Sequence, residues 1–94
     1  MRILVKIGSN ILTTSGGLNR RRIGSLARDL AEVKRAGHDL LLVSSGAVAA
    51  GMQKMRLRRY PRDIRIKQAV AAVGQSSLMW AYEKYFSPHG LKAA

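Results

Sequence analysis

The sequence predicts an α/β fold that begins with a right-handed βαβ unit. Two short apolar runs, residues 2–7 and 39–43, have the near-continuous hydrophobicity of strands buried on both faces, as in parallel sheets. Residues 20–36 separate them and carry apolar side chains at helical spacing. Parallel strands joined by a helix need a crossover connection, and such crossovers are nearly always right-handed. A chain of this size allows one domain, over residues 1–94.

The boundaries of the first helix are marked by polar and small residues. Asn19 is a favourable N-cap, and Gly37 stands where helices commonly end. The preceding residues 8–18 are rich in Gly, Ser, Thr and Asn and are predicted to form a loop. The apolar stripe of the helix consists of Ile23, Leu26, Ala27, Leu30 and Val33.

Helical segments also dominate the second half of the chain. A short helix of small residues is predicted over residues 47–55, followed by a basic loop at 56–63. Asp63 can cap a helix from residue 64 to about 73, which Gly74 is expected to interrupt or bend because glycine is a poor helix former. The remaining predictions are a resumed helix from residue 75 or 76 to 86, a turn at 87–90 and the start of a third strand at 91–94.

Composition excludes several classes of protein. The chain has 94 residues and no cysteine, so it can form neither a disulfide framework nor a thiolate metal site, in agreement with a reducing compartment. No stretch approaches the roughly 18 apolar residues of a membrane span, and the N-terminus lacks a secretory pattern. We therefore expect a soluble, cytoplasmic protein with no membrane partner.

The charge of the chain is strongly unbalanced. Lysine and arginine number 17 against 5 acidic residues, for a net charge of +12. This balance is typical of proteins that bind polyanions. It is also expected for a segment of a larger protein whose acidic residues lie mainly in the rest of that protein. The densest basic run, residues 54–67, contains Tyr60 as its only aromatic side chain. Nucleic-acid sites usually interleave several aromatics, so a solvated loop or a partner contact is favoured and nucleic acid is not expected.

The best-known nucleotide and hydrolase motifs are absent. Residues 46–51 have the glycine spacing of a Walker A loop, but Met52 and Gln53 follow where that motif needs Lys and Ser or Thr. No G-x-G-x-x-G run occurs. His38 and His89 both adjoin glycines in predicted turns, which argues against a Ser-His hydrolase.

Two strand ends carry more specific signals. Lys6 lies inside the first apolar strand, where a lysine is costly unless its charge has a partner. Either its stem reaches water at the sheet edge, or its ammonium group faces a phosphoryl group. Residues 44–47 (SSGA) follow the second strand and can either cap the next helix or present backbone N–H groups to an anion. Two such turns side by side would hold a phosphorylated ligand next to a small acidic one.

Three sequence runs, in this order, resemble the N-terminal portion of the amino acid kinase family. They are residues 5–9 (VKIGS), 42–51 (LVSSGAVAAG) and 67–75 (KQAVAAVGQ), and the resemblance extends over essentially the whole chain. It implies an α/β/α sandwich with a mostly parallel sheet. It also implies transfer of the γ-phosphoryl group of ATP to the side-chain carboxylate of L-glutamate, with Mg²⁺, as the first step of proline biosynthesis.

The resemblance assigns roles to residues of both turns. Lys6 would be the catalytic residue, which contacts the ATP phosphates and stabilises charge on the transferring group. Gly8 and Ser9 would bring backbone N–H groups to the same phosphates. The residues implied at the glutamate site are Ser45, Gly46 and Ala47, the last two through their backbone donors.

The kinase domain of the family is longer than this chain. The resemblance assigns the adenine pocket and the residues that position Mg²⁺ to the remaining part, so the chain alone is expected to be inactive. Such a piece would leave a sheet edge and an apolar helix face uncovered, which favours a homo-oligomer. The alternative functions are a basic nucleic-acid-binding module and a self-associating interaction module.

Overall fold

The computed structural model describes residues 1–14 and 17–93, in which a parallel pair of strands packs against helices. The α/β class and the opening order of strand, helix and strand are confirmed. The elements are β1 (Arg2–Ile7), α1 (Ser9–Leu12), β2 (Thr13–Thr14), β3 (Gly17–Leu18), α2 (Arg20–Arg35), β4 (Asp39–Ser44), α3 (Ala47–Met55), α4 (Ile64–Phe86) and a 3₁₀ turn (Ser87–His89).

β1 and β4 are parallel and in register over their whole length. Arg2 pairs with Asp39 at one end, and Ile7 pairs with Ser44 at the other. Because parallel neighbours need a crossover connection, α2 supplies the link between them. The predicted βαβ unit is confirmed by this pairing, which brings the C-terminal ends of both strands to the same edge of the sheet.

The hydrophobic core lies between one face of this sheet and helices α2 and α4. Ile23 and Ala27 on α2 are fully buried, as the predicted apolar stripe requires. Among the described residues no charged side chain is buried, so burial of apolar surface is the main stabilising term. The buried cluster consists of Ile7, Leu12, Ile23, Ala27, Leu30, Leu78, Ala81, Tyr82 and Phe86.

The prediction that both strands are buried on both faces is wrong for this structure. Leu4 is 65% exposed, Leu41 64% and Val43 45%, whereas Val5 and Leu42 pack against the core. Successive side chains of a strand point to opposite faces, and the described helices cover only one of these faces. The other face is an uncovered apolar surface, called here the open sheet face (Leu4, Leu41 and Val43).

The segment predicted as a loop, residues 8–18, contains regular structure. α1 makes a single turn after β1, and β2 pairs with β3 as a small antiparallel hairpin; residues 15–16 lie outside the described residues. Leu12 is fully buried and anchors the segment. The Leu18 amide donates a hydrogen bond of 3.3 Å to the side-chain oxygen of Gln53, which ties the hairpin to α3. Strands of two residues are too short to produce a periodic pattern, so the sequence did not reveal them.

The predicted ends of α2 are confirmed within one residue. The Asn19 side chain accepts a hydrogen bond of 3.1 Å from the Arg22 amide, which satisfies one of the free donors at the start of the helix. The helix ends at Arg35, and Gly37 follows in the left-handed region at a φ of +95°.

The prediction that Gly74 interrupts the last helix is wrong, because α4 continues from Ile64 to Phe86. Its predicted N-cap is confirmed, since the Asp63 side chain accepts a 2.8 Å hydrogen bond from the Arg65 amide. Gly74 lies where α4 crosses α3, and a Cβ there would collide with the Ala47 carbonyl oxygen. The glycine therefore permits a close helix contact, which outweighs its low helix propensity.

The predicted third strand at residues 91–94 is not formed by residues 91–93, and residue 94 lies outside the described part. Leu91 instead donates its amide to the Phe86 carbonyl at 3.2 Å and packs against the core. A strand needs a neighbour to pair with its backbone, and this segment stays at the helix end instead. No helix within residues 1–14 and 17–93 has the length and hydropathy to cross a membrane.

Candidate functional site

The two turns that follow β1 and β4 lie side by side. The Ser45 amide donates a hydrogen bond of 3.0 Å to the carbonyl oxygen of Ile7, one step beyond the last strand pair. Lys6 is the register partner of Val43, so it stands next to the same edge. The juxtaposition predicted from the sequence is therefore present at the C-terminal edge of the sheet, called here the rim.

Lys6 is exposed and lies on the same side of β1 as Leu4, by the alternation of the strand. The ion pairs within the described residues join Lys34 to Asp39 and Arg65 to Asp63, so no carboxylate neutralises Lys6. A free ammonium group at the rim can attract an anion. The side chain of Lys6 therefore extends into water, and in this position its ammonium group could contact a phosphoryl group of a bound ligand.

The serine turn does not cap α3 with a side chain. The residue at the N-cap position is Gly46, with a φ of +110°, and it makes no side-chain capping hydrogen bond. Among the described residues, no acceptor is bonded to the amides of Gly46, Ala47 or Val48. The capping interpretation is therefore wrong for this helix, and these N–H groups lack a partner among the described residues, although Gly46 is buried and Ala47 and Val48 are half-buried. Ser45 beside them is exposed.

Gly8 follows β1 in an extended conformation and precedes α1. Its φ is −83°, its carbonyl accepts from the Ile11 amide at 3.2 Å, and a Cβ at this position would meet no atom within 4 Å. The space on the Cβ side of Gly8 is therefore open. Ser9 begins the single turn of α1 directly after it. Both residues lie near the rim, next to Ile7.

A buried tyrosine that the sequence analysis did not single out contacts the serine turn. The hydroxyl oxygens of Tyr82 and Ser44 lie 2.6 Å apart, and the Ser44 hydroxyl donates to the Ser45 carbonyl oxygen at 2.8 Å. Burial raises the pKa of Tyr82, and the hydrogen bond with Ser44 acts in the opposite direction. Tyr82 is 38 residues from Ser44 in the chain, so no local pattern could have indicated this contact.

The basic run lies away from the rim. Residues 56–63 follow the C-terminal end of α3, whereas the rim contacts the N-terminal end of that helix. Lys67 stacks over the Tyr60 ring at 5.2 Å, and Arg65 pairs with Asp63 at 3.2 Å. These contacts are local and exposed, which agrees with a solvated loop or a partner contact.

The residues described here do not fit a Mg²⁺ site. Within residues 1–14 and 17–93, no group of three or more His, Asp or Glu side chains is arranged to hold a metal ion. Asp39 pairs with Arg2 at the end of the sheet opposite the rim. Mg²⁺ prefers carboxylate and phosphate oxygens, so only a bound nucleotide or other chain segments could bring it to the rim.

The fold and the paired turns agree with a comparison against protein families. The profile described as the amino acid kinase family matches residues 1–94, and the chain belongs to this family. The glutamate 5-kinase of Dehalococcoides mccartyi strain CBDB1 is 47% identical over an alignment of 94 positions, and the match covers 99% of this chain and 25% of that protein. The glutamate 5-kinase of Geobacter sulfurreducens is 50% identical with the same coverage, and that of Thermus thermophilus is 44% identical over 93 residues.

The chain spans about a quarter of the length of the curated relatives it matches. The family membership predicted from the three sequence runs is confirmed. The roles of Lys6, Gly8, Ser9, Ser45 and the following two residues stay predictions, since the comparisons name proteins and not individual residues.

Proposed function

We propose that this chain forms one wall of the active site of an ATP-dependent kinase that converts L-glutamate to L-glutamyl 5-phosphate, the first step of proline biosynthesis. The observation that carries the proposal is the 3.0 Å hydrogen bond between the Ser45 amide and the Ile7 carbonyl. It joins a turn with free backbone donors to the strand that carries an unpaired lysine. The family and the names of its relatives supply the substrates.

Electrostatics explains why Lys6 suits this reaction. The attacking carboxylate and the γ-phosphoryl group of ATP are both negatively charged and repel each other. Phosphoryl transfer needs positioning and charge stabilisation more than covalent chemistry from the protein. An ammonium group without a carboxylate partner, as in Lys6, reduces the repulsion and stabilises the charge on the transferring oxygens.

The serine turn would bind the acceptor. Free N–H groups at the start of α3 favour an anion, and Gly46 and Ala47 supply the first of them. The exposed Ser45 hydroxyl adds a neutral donor beside them. Gly8 and Ser9, at the end of the neighbouring strand, would approach the phosphates of ATP through their backbone.

Mg²⁺ would enter with ATP and, as the family resemblance implies, be positioned mainly by residues outside this chain; the described residues contain no group of three or more His, Asp or Glu side chains arranged to hold a metal ion. The chain alone is therefore expected to be catalytically inactive. We also propose that the kinase is cytoplasmic, because the 94 residues of this chain contain no cysteine, which agrees with a reducing compartment.

A homo-oligomer is part of the proposal. Ile66, Val73 and Trp80 recur every seven residues on α4 and are all exposed, which forms an apolar stripe on one side of the helix. Exposed apolar stripes of this kind commonly become interfaces between copies. Light scattering of a full-length kinase should give a multiple of the monomer mass, and Trp80→Glu should lower it.

The test of the proposed activity is ADP release by a full-length kinase that contains this segment. Turnover should require both ATP and L-glutamate, and Lys6→Met should lower kcat by roughly 100-fold or more. Lys54→Met is the matched control, since Lys54 is an exposed lysine in the last turn of α3, at the end of that helix opposite the rim. ADP release that is independent of glutamate, or full turnover by Lys6→Met, would disprove the proposal.

A further inference from the structure

We propose that Tyr82 is a positioning residue of the serine turn, which acts through the Ser44 hydroxyl to fix the orientation of the Ser45–Gly46 peptide. The inference extends the proposed function and rests on it, because this peptide carries a backbone donor of the acceptor site. Tyr82 itself touches neither substrate.

The hydrogen-bond direction follows from counting protons. The Ser44 hydroxyl has a single proton, which it donates to the Ser45 carbonyl oxygen at 2.8 Å. Its oxygen can then only accept in the 2.6 Å contact with Tyr82. The tyrosine hydroxyl is therefore the donor, and the chain runs from Tyr82 through Ser44 to the Ser45 carbonyl.

This chain of hydrogen bonds determines where the next amide points. The Ser45 carbonyl and the Gly46 N–H belong to the same peptide, and in a trans peptide these two groups point in opposite directions. With the carbonyl held toward the Ser44 hydroxyl, the Gly46 N–H points away from that hydroxyl. Gly46 is buried and its N–H has no acceptor among the described residues, so it is an unsatisfied donor that a ligand bound at the turn would pair.

The peptide needs such a restraint because glycine follows it. Gly46 has a φ of +110°, and glycine adopts positive and negative φ with similar ease. Rotation of the Ser45–Gly46 peptide would turn its carbonyl oxygen toward the ligand and its N–H inward. An oxygen in that position repels a carboxylate, so one orientation is competent for binding and the other is not.

Tyr82 is a rigid point of attachment. It is 3% exposed, and its ring packs against Phe86 with centroids 5.4 Å apart and an interplanar angle of 51°. The raised pKa of the buried hydroxyl keeps it protonated at physiological pH, so it remains a donor. Both rings belong to α4, which crosses α3 at Gly74.

The test uses Tyr82→Phe in a full-length kinase that contains this segment. Loss of the donor frees the peptide, so KM for glutamate should rise about tenfold, while KM for ATP should change less than about twofold. Tyr85→Phe is the control, because Tyr85 lies on the same helix, is half-buried and has no hydrogen bond to the rim. Ser44→Ala should reproduce the effect, and Ser44→Thr, which keeps a hydroxyl, should preserve most of the affinity.

The double variant separates this role from a purely structural one. If Tyr82 acts through Ser44, Tyr82→Phe combined with Ser44→Ala should raise KM for glutamate no further than either change alone. A multiplicative effect, an unchanged KM for glutamate, or an equal rise in both KM values would overturn the inference.

An NMR measurement tests the role of Tyr82 independently of the proposed reaction. The Gly46 amide resonance should shift in Tyr82→Phe and stay unchanged in Tyr85→Phe, whether or not glutamate is the substrate. A Gly46 shift in a protein without glutamate kinase activity would support the restraint and refute the proposed function. An unmoved Gly46 resonance would refute the restraint itself.

Discussion

Gly51 of α3 and Gly74 of α4 face each other where the two helices cross, so that the Gly51 amide nitrogen occupies the space of a Gly74 side chain. The same space is bounded by the Ala47 carbonyl carbon, 2.8 Å from the position of a Cβ on Gly74. A Cβ on Gly51 would in turn collide with the Val70 carbonyl oxygen. The helix that begins at the rim is thus held directly against the backbone of α4.

Replacing Gly74 by Ala should destabilise the fold despite the better helix propensity of alanine. The new methyl group overlaps backbone atoms, which cannot move aside as a flexible side chain can, so the free energy of unfolding should fall by roughly 1–3 kcal/mol. Urea denaturation followed by circular dichroism measures this change. Gly24→Ala is the control, because its Cβ would meet only the Tyr85 ring edge at 3.3 Å. Equal stability of the Gly74→Ala variant and the wild type would contradict the close crossing.

Replacing Gly46 by Ala should also reduce stability, for a different reason. A Cβ at this position has room, with the nearest atoms at 3.8 and 3.9 Å, but the φ of +110° is strained for any other residue. The expected cost is about 1–2 kcal/mol. Gly8→Ala serves as the control for stability alone, since its φ is −83° and no atom lies within 4 Å of the new Cβ. Thermal unfolding followed by circular dichroism compares the two variants. Equal melting temperatures for Gly46→Ala and Gly8→Ala would show that residue 46 does not keep its left-handed conformation.

Acid should destabilise the N-terminal end of α4, because protonation of Asp63 weakens the cap of this helix. Hydrogen bonds from the Arg65 side chain, and then from its backbone amide, lower the pKa of this carboxyl group. A lowered folded-state pKa means that the carboxylate stabilises the fold above its unfolded-state pKa of about 3.9 and loses this effect as the pH falls through the folded value. A carboxyl ¹³C titration should show the shift, and Arg65→Ala should reduce it. A titration of Asp63 at the ordinary aspartate pKa in the intact chain would contradict the cap.

Self-association of the 94-residue chain should increase with salt. The open sheet face favours contact between copies, whereas a net charge of +12 keeps them apart. At about 0.15 M ionic strength the Debye length is roughly 8 Å, so added salt weakens the repulsion and leaves the apolar attraction. Light scattering should report a mass that rises with salt, and Leu41→Thr should reduce the rise. A mass that falls with salt would indicate that ion pairs hold the copies together.

Local patterns predicted the elements that depend on local forces. Asn19 and Gly37 marked the ends of α2 because capping involves only adjacent residues. The apolar runs marked β1 and β4, and the parallel crossover implied that Lys6 and Ser45 would approach the same edge of the sheet.

Other features depend on tertiary contacts that no local pattern contains. The sequence around Gly74 predicts a break in the helix, because the close contact with α3 that requires a glycine is not visible in the sequence. Leu4 and Leu41 are likewise predicted to be buried, because the sequence does not show that helices cover only one face of the sheet. The contact between Tyr82 and Ser44 joins residues that are 38 positions apart. The rim was predictable because it follows from strand order, whereas its supporting contacts follow from side-chain packing.

α4 carries Trp80 on its exposed side and Tyr82, only two residues later, on its buried side. One continuous helix thereby links the surface available to a neighbouring copy with the hydroxyl that orients the serine turn. A rigid helix cannot rotate without moving the side chains on both of its faces. Because the proposed interface and the proposed acceptor site share this helix, we expect a dilution series that dissociates the copies of a full-length kinase to weaken its binding of glutamate.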